Sequence, residues 1–180
     1  AAPFVPSLAG IETSGYLTSD TLWDAFAKLD SIPKRIVVLG GGPIGCELAQ
    51  AMQRLGAEVT QIEMASRLLI REDAEVSAFA KAALEADGVL VLTGHKALRF
   101  EIHDEQKMIV AESNGQEAAI PYDALICAVG RSARLDGYGL EELGIATNKT
   151  IETNEYLQTV YPNIYAAGDV AGPYQFTHVA

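Results

Sequence analysis

The residues whose types and spacing most clearly carry chemistry are glycines. Gly40-Gly41-Gly42-Pro43-Ile44-Gly45 matches GxGxxG, directly after the apolar run Arg35-Ile36-Val37-Val38-Leu39 and at the start of an amphipathic helical pattern. In that context each glycine has a physical role. Gly40 permits a tight turn, Gly42 lets a diphosphate approach bare backbone, and Gly45 lets helix and strand pack closely. The helix N-terminus supplies unpaired N–H groups and partial positive charge to the anion, with Pro43 and Ile44 in its first turn. Glu63 closes the following strand, where a carboxylate accepts both hydroxyls of an adenosine ribose and repels a 2′-phosphate. This favours NAD(H) over NADP(H), against the counter-signal of Arg67, which is near enough in sequence to meet a 2′-phosphate. Glu47 falls in the expected first helical turn, where the helix dipole alone accounts for an acid. Gly130-Arg131 ends a later apolar strand at the edge where open α/β sheets bind ligands, or is simply a loop exit. Gly168-Asp169 offers a carboxylate that could accept sugar hydroxyls or cap a turn.

Positioning these residues needs a sheet. The apolar runs at 35–39 and 123–129 have the continuous style of parallel strands buried on both faces, 57–63 reads as a second strand, and 89–93 as a third buried one. Between them lie two helical patterns. One runs from Pro43 to Leu55 with Ile44, Leu48, Met52 and Leu55 recurring and Gly56 as its stop; the other follows Asp73 with Val76, Phe79, Ala80, Ala83 and Leu84 as its apolar face and Gly88 as its stop. Residues 98–102 alternate instead, 108–111 form another apolar strand and a third short strand ends at Ile120, with turn signals at Asp104-Glu105-Gln106 and Asn114-Gly115 between them, and together they read as a three-stranded antiparallel meander. The fold class is therefore α/β: a Rossmann-like, doubly wound parallel sheet of order β-α-β-α-β, with helices on its faces, a meander, and a returning central strand. A short helix is expected after Thr18-Ser19-Asp20 and another at Leu140–Leu143, with extended pieces at 150–152 and 156–157 and a last strand at 164–167.

Composition excludes several classes. The 180 residues carry 13 basic and 24 acidic side chains for a net charge of −11, and no Lys/Arg cluster offsets this, so nucleic acid is not an expected partner. No uncharged stretch approaches the ~20 residues a spanning helix needs, so no membrane partner is expected. A basic-then-apolar leader is also absent, and a cytoplasmic location is expected. Cys46 and Cys127, and His95, His103 and His178, are scattered, with no metal-ligand spacing.

Taken together, Gly40 to Glu47, Ile62-Glu63, Ala128-Val129-Gly130-Arg131 and Tyr165-Ala166-Ala167-Gly168-Asp169, in that order, resemble the FAD-dependent pyridine nucleotide–disulfide oxidoreductases, in their dihydrolipoamide dehydrogenase and mercuric reductase branch. The resemblance covers essentially the whole chain. It implies that Gly40, Gly41, Gly42, Pro43, Ile44 and Gly45 hold the NAD diphosphate, Glu63 the adenosine ribose, and Glu47 the nicotinamide side. It further implies that Gly130 borders the nicotinamide half, that the His95 region touches adenosine through backbone, that Asp169 binds the ribityl chain of FAD, and that Gln175, Phe176, Thr177 and His178 lie against the flavin. In such enzymes hydride passes from NAD(P)H to FAD and on to a CxxxxC disulfide.

The sequence also departs from the family pattern, with no CxxxxC, no second GxGxxG near its start and no terminal His-Glu pair. The expectation is a nucleotide-binding domain at 31–130, with crossover segments at 1–30 and 131–180 running from and to an FAD domain of a longer, homodimeric parent. Its partners are then dinucleotides and the remainder of its own chain, and the piece alone does not complete the reaction. The alternatives are a non-enzymatic NADH-sensing module and a ferredoxin-reductase-like flavoprotein.

Overall fold

The structure, a computed structural model, describes residues 1–172; Gln175, Phe176, Thr177 and His178 lie outside the described residues. In chain order the elements are β1 (Ala2–Pro3), α1 (Ile11–Ser14), α2 (Leu22–Phe26), β2 (Arg35–Leu39), α3 (Pro43–Arg54), β3 (Glu58–Glu63), α4 (Ala74–Ala86), β4 (Leu90–Thr93), β5 (Lys96–His103), β6 (Gln106–Ser113), β7 (Gln116–Tyr122), β8 (Ala124–Cys127), β9 (Arg131–Ser132) and a 3₁₀ turn (Gly168–Val170). They fall into two compact units, Pro3–Gly130 and Ala1–Ala2 with the residues from Arg131 onward.

The larger unit is built on a four-stranded parallel sheet in the order β4-β3-β2-β8 and an antiparallel meander β5-β6-β7. Alternation along β2 explains the layering. Ile36 and Val38 join Leu48, Ala49 and Met52 of α3 and Leu84 of α4 in one buried cluster, whereas Val37 and Leu39 join Ile62, Phe100, Ile109 and Tyr122 in another. Each such fully buried aliphatic contributes about 1.5–3 kcal/mol. Both helices thus cover one face and the meander covers the other, in place of helices on both faces. Two successive right-handed crossovers stepping the same way, β2 to β3 to β4, must put their helices on the same side.

Other details depart from the periodicity reading. The buried stripe of α3 is Gly45, Leu48, Ala49 and Met52, and Leu55 is 67% exposed beyond the helix end. On α4 the inward residues are Ser77 and Leu84, whereas Val76 and Phe79 face outward. Ser77 is drawn in because its hydroxyl donates to the Leu68 carbonyl at 2.5 Å. Asp73 stands at the N-cap of α4 without a side-chain cap bond. β4 is an edge strand with Leu90 exposed, and β8 is the opposite end of the sheet rather than its centre, its free side met by a bridge from Leu17 to Ile126. The hairpin turns form as the sequence predicts, with positive φ at Asp104, Glu105, Asn114 and Gly115.

The smaller unit has its own core of Leu140, Ile145, Ile151 and Ala166. The expected helix at 140–143 is a hydrogen-bonded turn, with Leu143 N–H on the Gly139 carbonyl. Residues 156–157 form a turn with Leu157 at φ 61, and the expected strand at 164–167 reduces to one bridge between Gln158 and Tyr165. These pieces find no neighbouring strand among the described residues to extend their pairing.

Candidate functional site

All four parallel strands end at one edge of the larger unit: Leu39 pairs with Ile62 and Cys127, and Glu63 with Thr93. At β2 the strand order reverses direction, since β3 follows on one side and β8 on the other. Such a reversal opens a crevice at the carboxyl edge, which is where open α/β sheets take ligands. Gly40, Gly41 and Gly42 leave β2 at this point and lead into α3, whose first residue is Pro43 and whose N-cap, Gly42, makes no side-chain cap bond. The N-terminal amides of such a helix end are left to water or to a ligand.

The glycines are required for different reasons. Gly40 has φ 117, and a Cβ there would run into the Ala128 carbonyl. A Cβ on Gly45 would overlap the Gly40 carbonyl oxygen, so the helix seats against the turn only with glycine there. At Gly41 it would meet Glu63 and Leu68 at 2.8 Å. Gly42 is unlike these: its φ of −77 and ψ of 179 suit any residue, and among the described residues a Cβ would meet nothing within 4 Å.

Glu63 is bound into this loop. Its Oε2 accepts the Gly41 N–H at 2.6 Å and its Oε1 the Ala65 N–H at 2.6 Å. The Gly41 carbonyl accepts the Leu69 N–H at 2.8 Å, which folds the 64–72 loop back over the glycines. Arg67 closes that loop on itself, its guanidinium donating to the carbonyls of Glu72 at 2.7 Å and Ile70 at 3.1 Å. His95 joins the same edge through backbone, its N–H on the Glu63 carbonyl at 3.0 Å, while its Nδ1 lies 2.8 Å from the Thr93 carbonyl.

Glu47 is exposed in the second turn of α3, not the first, so the dipole argument for an acid there does not apply. Ile44 is half-buried against the α3-side core. Gly130 follows β8 at the same edge with φ 143 and open space at its Cβ. Asp169 belongs to the smaller unit, in the 3₁₀ turn, 3.9 Å from the Ala1 ammonium. Two concave surfaces of the larger unit lie away from the glycine edge, one around Asp104 to Lys107 with Tyr122 and Asp123, the other around Leu17, Phe26, Ile32 and Pro33. Burial pushes the Cys46 and Cys127 thiols up, and among the described residues no three His, Cys, Asp or Glu side chains gather as metal ligands.

Sequence reasoning missed Gln61. It is fully buried on the α3 side of β3, its Nε2 donates to the Gly40 carbonyl at 3.0 Å, and its Oε1 has no partner among the described residues. The signal available was weak, since Gln61 stands among Glu58, Thr60 and Glu63 in the same strand and only its place between Val59 and Ile62 hints at burial.

The family model for pyridine nucleotide-disulphide oxidoreductases matches residues 1–180. The chain belongs to this family. It is 38% identical over 173 residues to a dihydrolipoyl dehydrogenase of Thermus scotoductus, covering 92% of this chain and 38% of that protein. It is likewise 38% identical over 182 residues to a mercuric reductase of Lysinibacillus sphaericus, covering 100% of this chain and 33% of that protein. Among solved structures it is similar to the Cu(II) complex of the HOCl-induced flavoprotein disulfide reductase RclA of Escherichia coli, with a TM-score of 0.85, 33% identity, and coverage of 99% of this chain and 40% of that one. The family is one of oxidoreductases, flavoproteins that use FAD and pyridine nucleotide. The chain spans about a third to two fifths of the length of these relatives.

Proposed function

We propose that this chain is the pyridine-nucleotide-binding portion of an FAD-dependent oxidoreductase, with NADH preferred over NADPH. The observation that carries the reading is Gly42. Neither its backbone angles nor its packing against the described residues calls for glycine there. A diphosphate laid against bare backbone at the uncapped start of α3 does call for it.

On this reading the N-terminal amides of α3 and the bare backbone at Gly42 hold the diphosphate, and the Gly40 turn, Gly41 with its N–H on Glu63, and Gly45 keep them in place. The two oxygens of Glu63 are already aimed by the Gly41 and Ala65 amides, and their remaining lone pairs accept ribose hydroxyls. The NADH preference is supported by the same carboxylate and by Arg67, whose two terminal nitrogens each donate to a loop carbonyl, of Ile70 and of Glu72. The His95 backbone borders the adenosine half, while Glu47, Pro43, Ile44 and Gly130 border the diphosphate and nicotinamide half. The bound nucleotide supplies a hydride for a flavin. Asp169, with Gln175, Phe176, Thr177 and His178, belongs to the flavin side of the reading.

Residues 31–130 form the nucleotide domain in this proposal, and 1–30 and 131–180 run from and to an FAD domain of a homodimeric parent in the cytoplasm. Its acceptor is a disulfide or related group. Calorimetric titration with NADH and NADPH at one ionic strength tests the preference. The expected result is at least about tenfold tighter NADH, or ~1.4 kcal/mol; equal or reversed affinities would refute it.

A further inference from the structure

We propose that Gln61 is a positioning residue that sets the nucleotide site by gripping one peptide of the glycine loop; the proposal rests on the nucleotide-binding reading above. The C=O of Gly40 and the N–H of Gly41 belong to the same planar peptide and point in opposite directions. Gln61 Nε2 holds the C=O at 3.0 Å, and Glu63 Oε2 holds the N–H at 2.6 Å. Both grips come from β3, two residues apart and therefore on one face of the strand. The Gly40–Gly41 peptide is thus held at both ends, and its rotation would break both bonds at once.

The environment of Gln61 argues that this grip is its purpose. It pairs in register with Val38 and is fully buried on the face that carries Ile36, Val38 and Val59 into the α3 core. Its Oε1 has no partner among the described residues, and Cys46 Sγ lies 3.6 Å from Nε2. A buried acceptor left unmatched costs about 1–3 kcal/mol, which an aliphatic residue in the same place would avoid. The amide is also the donor in reach of the Gly40 carbonyl, against which Gly45 is packed. Gln61 acts through the peptide on Glu63: with the Gly40 carbonyl released, the Gly41 N–H is free to turn away and the carboxylate loses one of its two fixed donors.

The test compares Gln61→Leu and Gln61→Met with the unmodified chain. Thermal unfolding, calorimetric affinity for NADH and NADPH, and hydrogen exchange of the Gly41 amide in the nucleotide-free chain are the readouts. The proposal expects Gly41 exchange at least about tenfold faster, NADH affinity reduced about fivefold or more, and a narrowed NADH-to-NADPH ratio, with only a small change in melting temperature, because the unmatched Oε1 is removed while the Gly40 carbonyl loses its donor. Unchanged Gly41 exchange would overturn it, as would an unchanged NADH-to-NADPH ratio with both affinities falling in step with the melting temperature, the signature of a merely structural amide. If Gly41 exchange responds but the unmodified chain binds neither nucleotide, the grip stands and the nucleotide role falls with the reading beneath it.

Discussion

The carboxylate of Glu63 and the amide of Gly41 are joined by a 2.6 Å hydrogen bond, so the last residue of β3 and the glycine turn after β2 form one unit. The bond spans 22 positions of sequence and ties an acid to a loop whose own side chains are hydrogen atoms. An incoming nucleotide therefore meets a carboxylate already oriented, which lowers the cost of ordering it on binding.

Replacing that acid tests the unit. Glu63→Gln keeps the shape but turns one acceptor into a donor, leaving either Gly41 or Ala65 without its partner. The expected outcome is a loss of about 1–3 kcal/mol in stability, with NADH affinity falling about tenfold or more and NADPH affinity changing less. Paired denaturation and calorimetry check both; unchanged affinity with lost stability would confine Glu63 to holding the loop.

Gly45 is required by packing alone. Gly45→Ala drives a Cβ into the Gly40 carbonyl, and overpacking of this kind costs about 1–3 kcal/mol. Chemical denaturation should show a lower midpoint with an unchanged slope.

A pH prediction follows from Arg35 and Asp123. The Arg35 side chain and backbone N–H both donate to the Asp123 carboxylate, which holds its pKa below the ordinary value. A carboxylate depressed in the folded state adds stability above its unfolded pKa and loses it as pH falls through the folded one. The pair is partly exposed, so the effect is modest. Asp123→Asn should melt slightly below the original chain at neutral pH, with the gap closing on acidification below the ordinary carboxylate range; a constant gap would contradict this.

The thiols should be inert. Burial pushes both Cys46 and Cys127 above the ordinary thiol value, outweighing the opposing hydrogen bonds from Gln61 and from the Val129 backbone, so little nucleophilic thiolate forms at neutral pH. A thiol-reactive dye should label neither rapidly in the folded chain and both on unfolding. Rapid labelling of the native chain would contradict this account.

Much of the architecture was legible in the sequence because strong local signals agreed with the fold. Apolar β-branched runs marked the parallel strands, Asn114-Gly115 the hairpin, and Gly56 and Gly88 the helix ends, both with positive φ. What failed was decided at long range. The inward face of α4 turns on a bond from Ser77 to Leu68, and the edge placement of β4 and β8 turns on strand order, which no residue announces. In the site, the glycines and Glu63 were legible as a motif, whereas the engagement of Arg67 with loop carbonyls and the grip of Gln61 on Gly40 depend on contacts across the loop and sheet.

The central claim is that the glycine turn before α3 is shaped for a nucleotide diphosphate, and Gly42→Ala tests it most directly. Alanine fits the backbone angles and open space at this position. Thermal unfolding should therefore be unchanged, while calorimetry should show NADH affinity reduced about tenfold or more, at least ~1.4 kcal/mol. An alanine variant that binds NADH as tightly as the unmodified chain, or an unmodified chain that binds no nucleotide, would contradict the account.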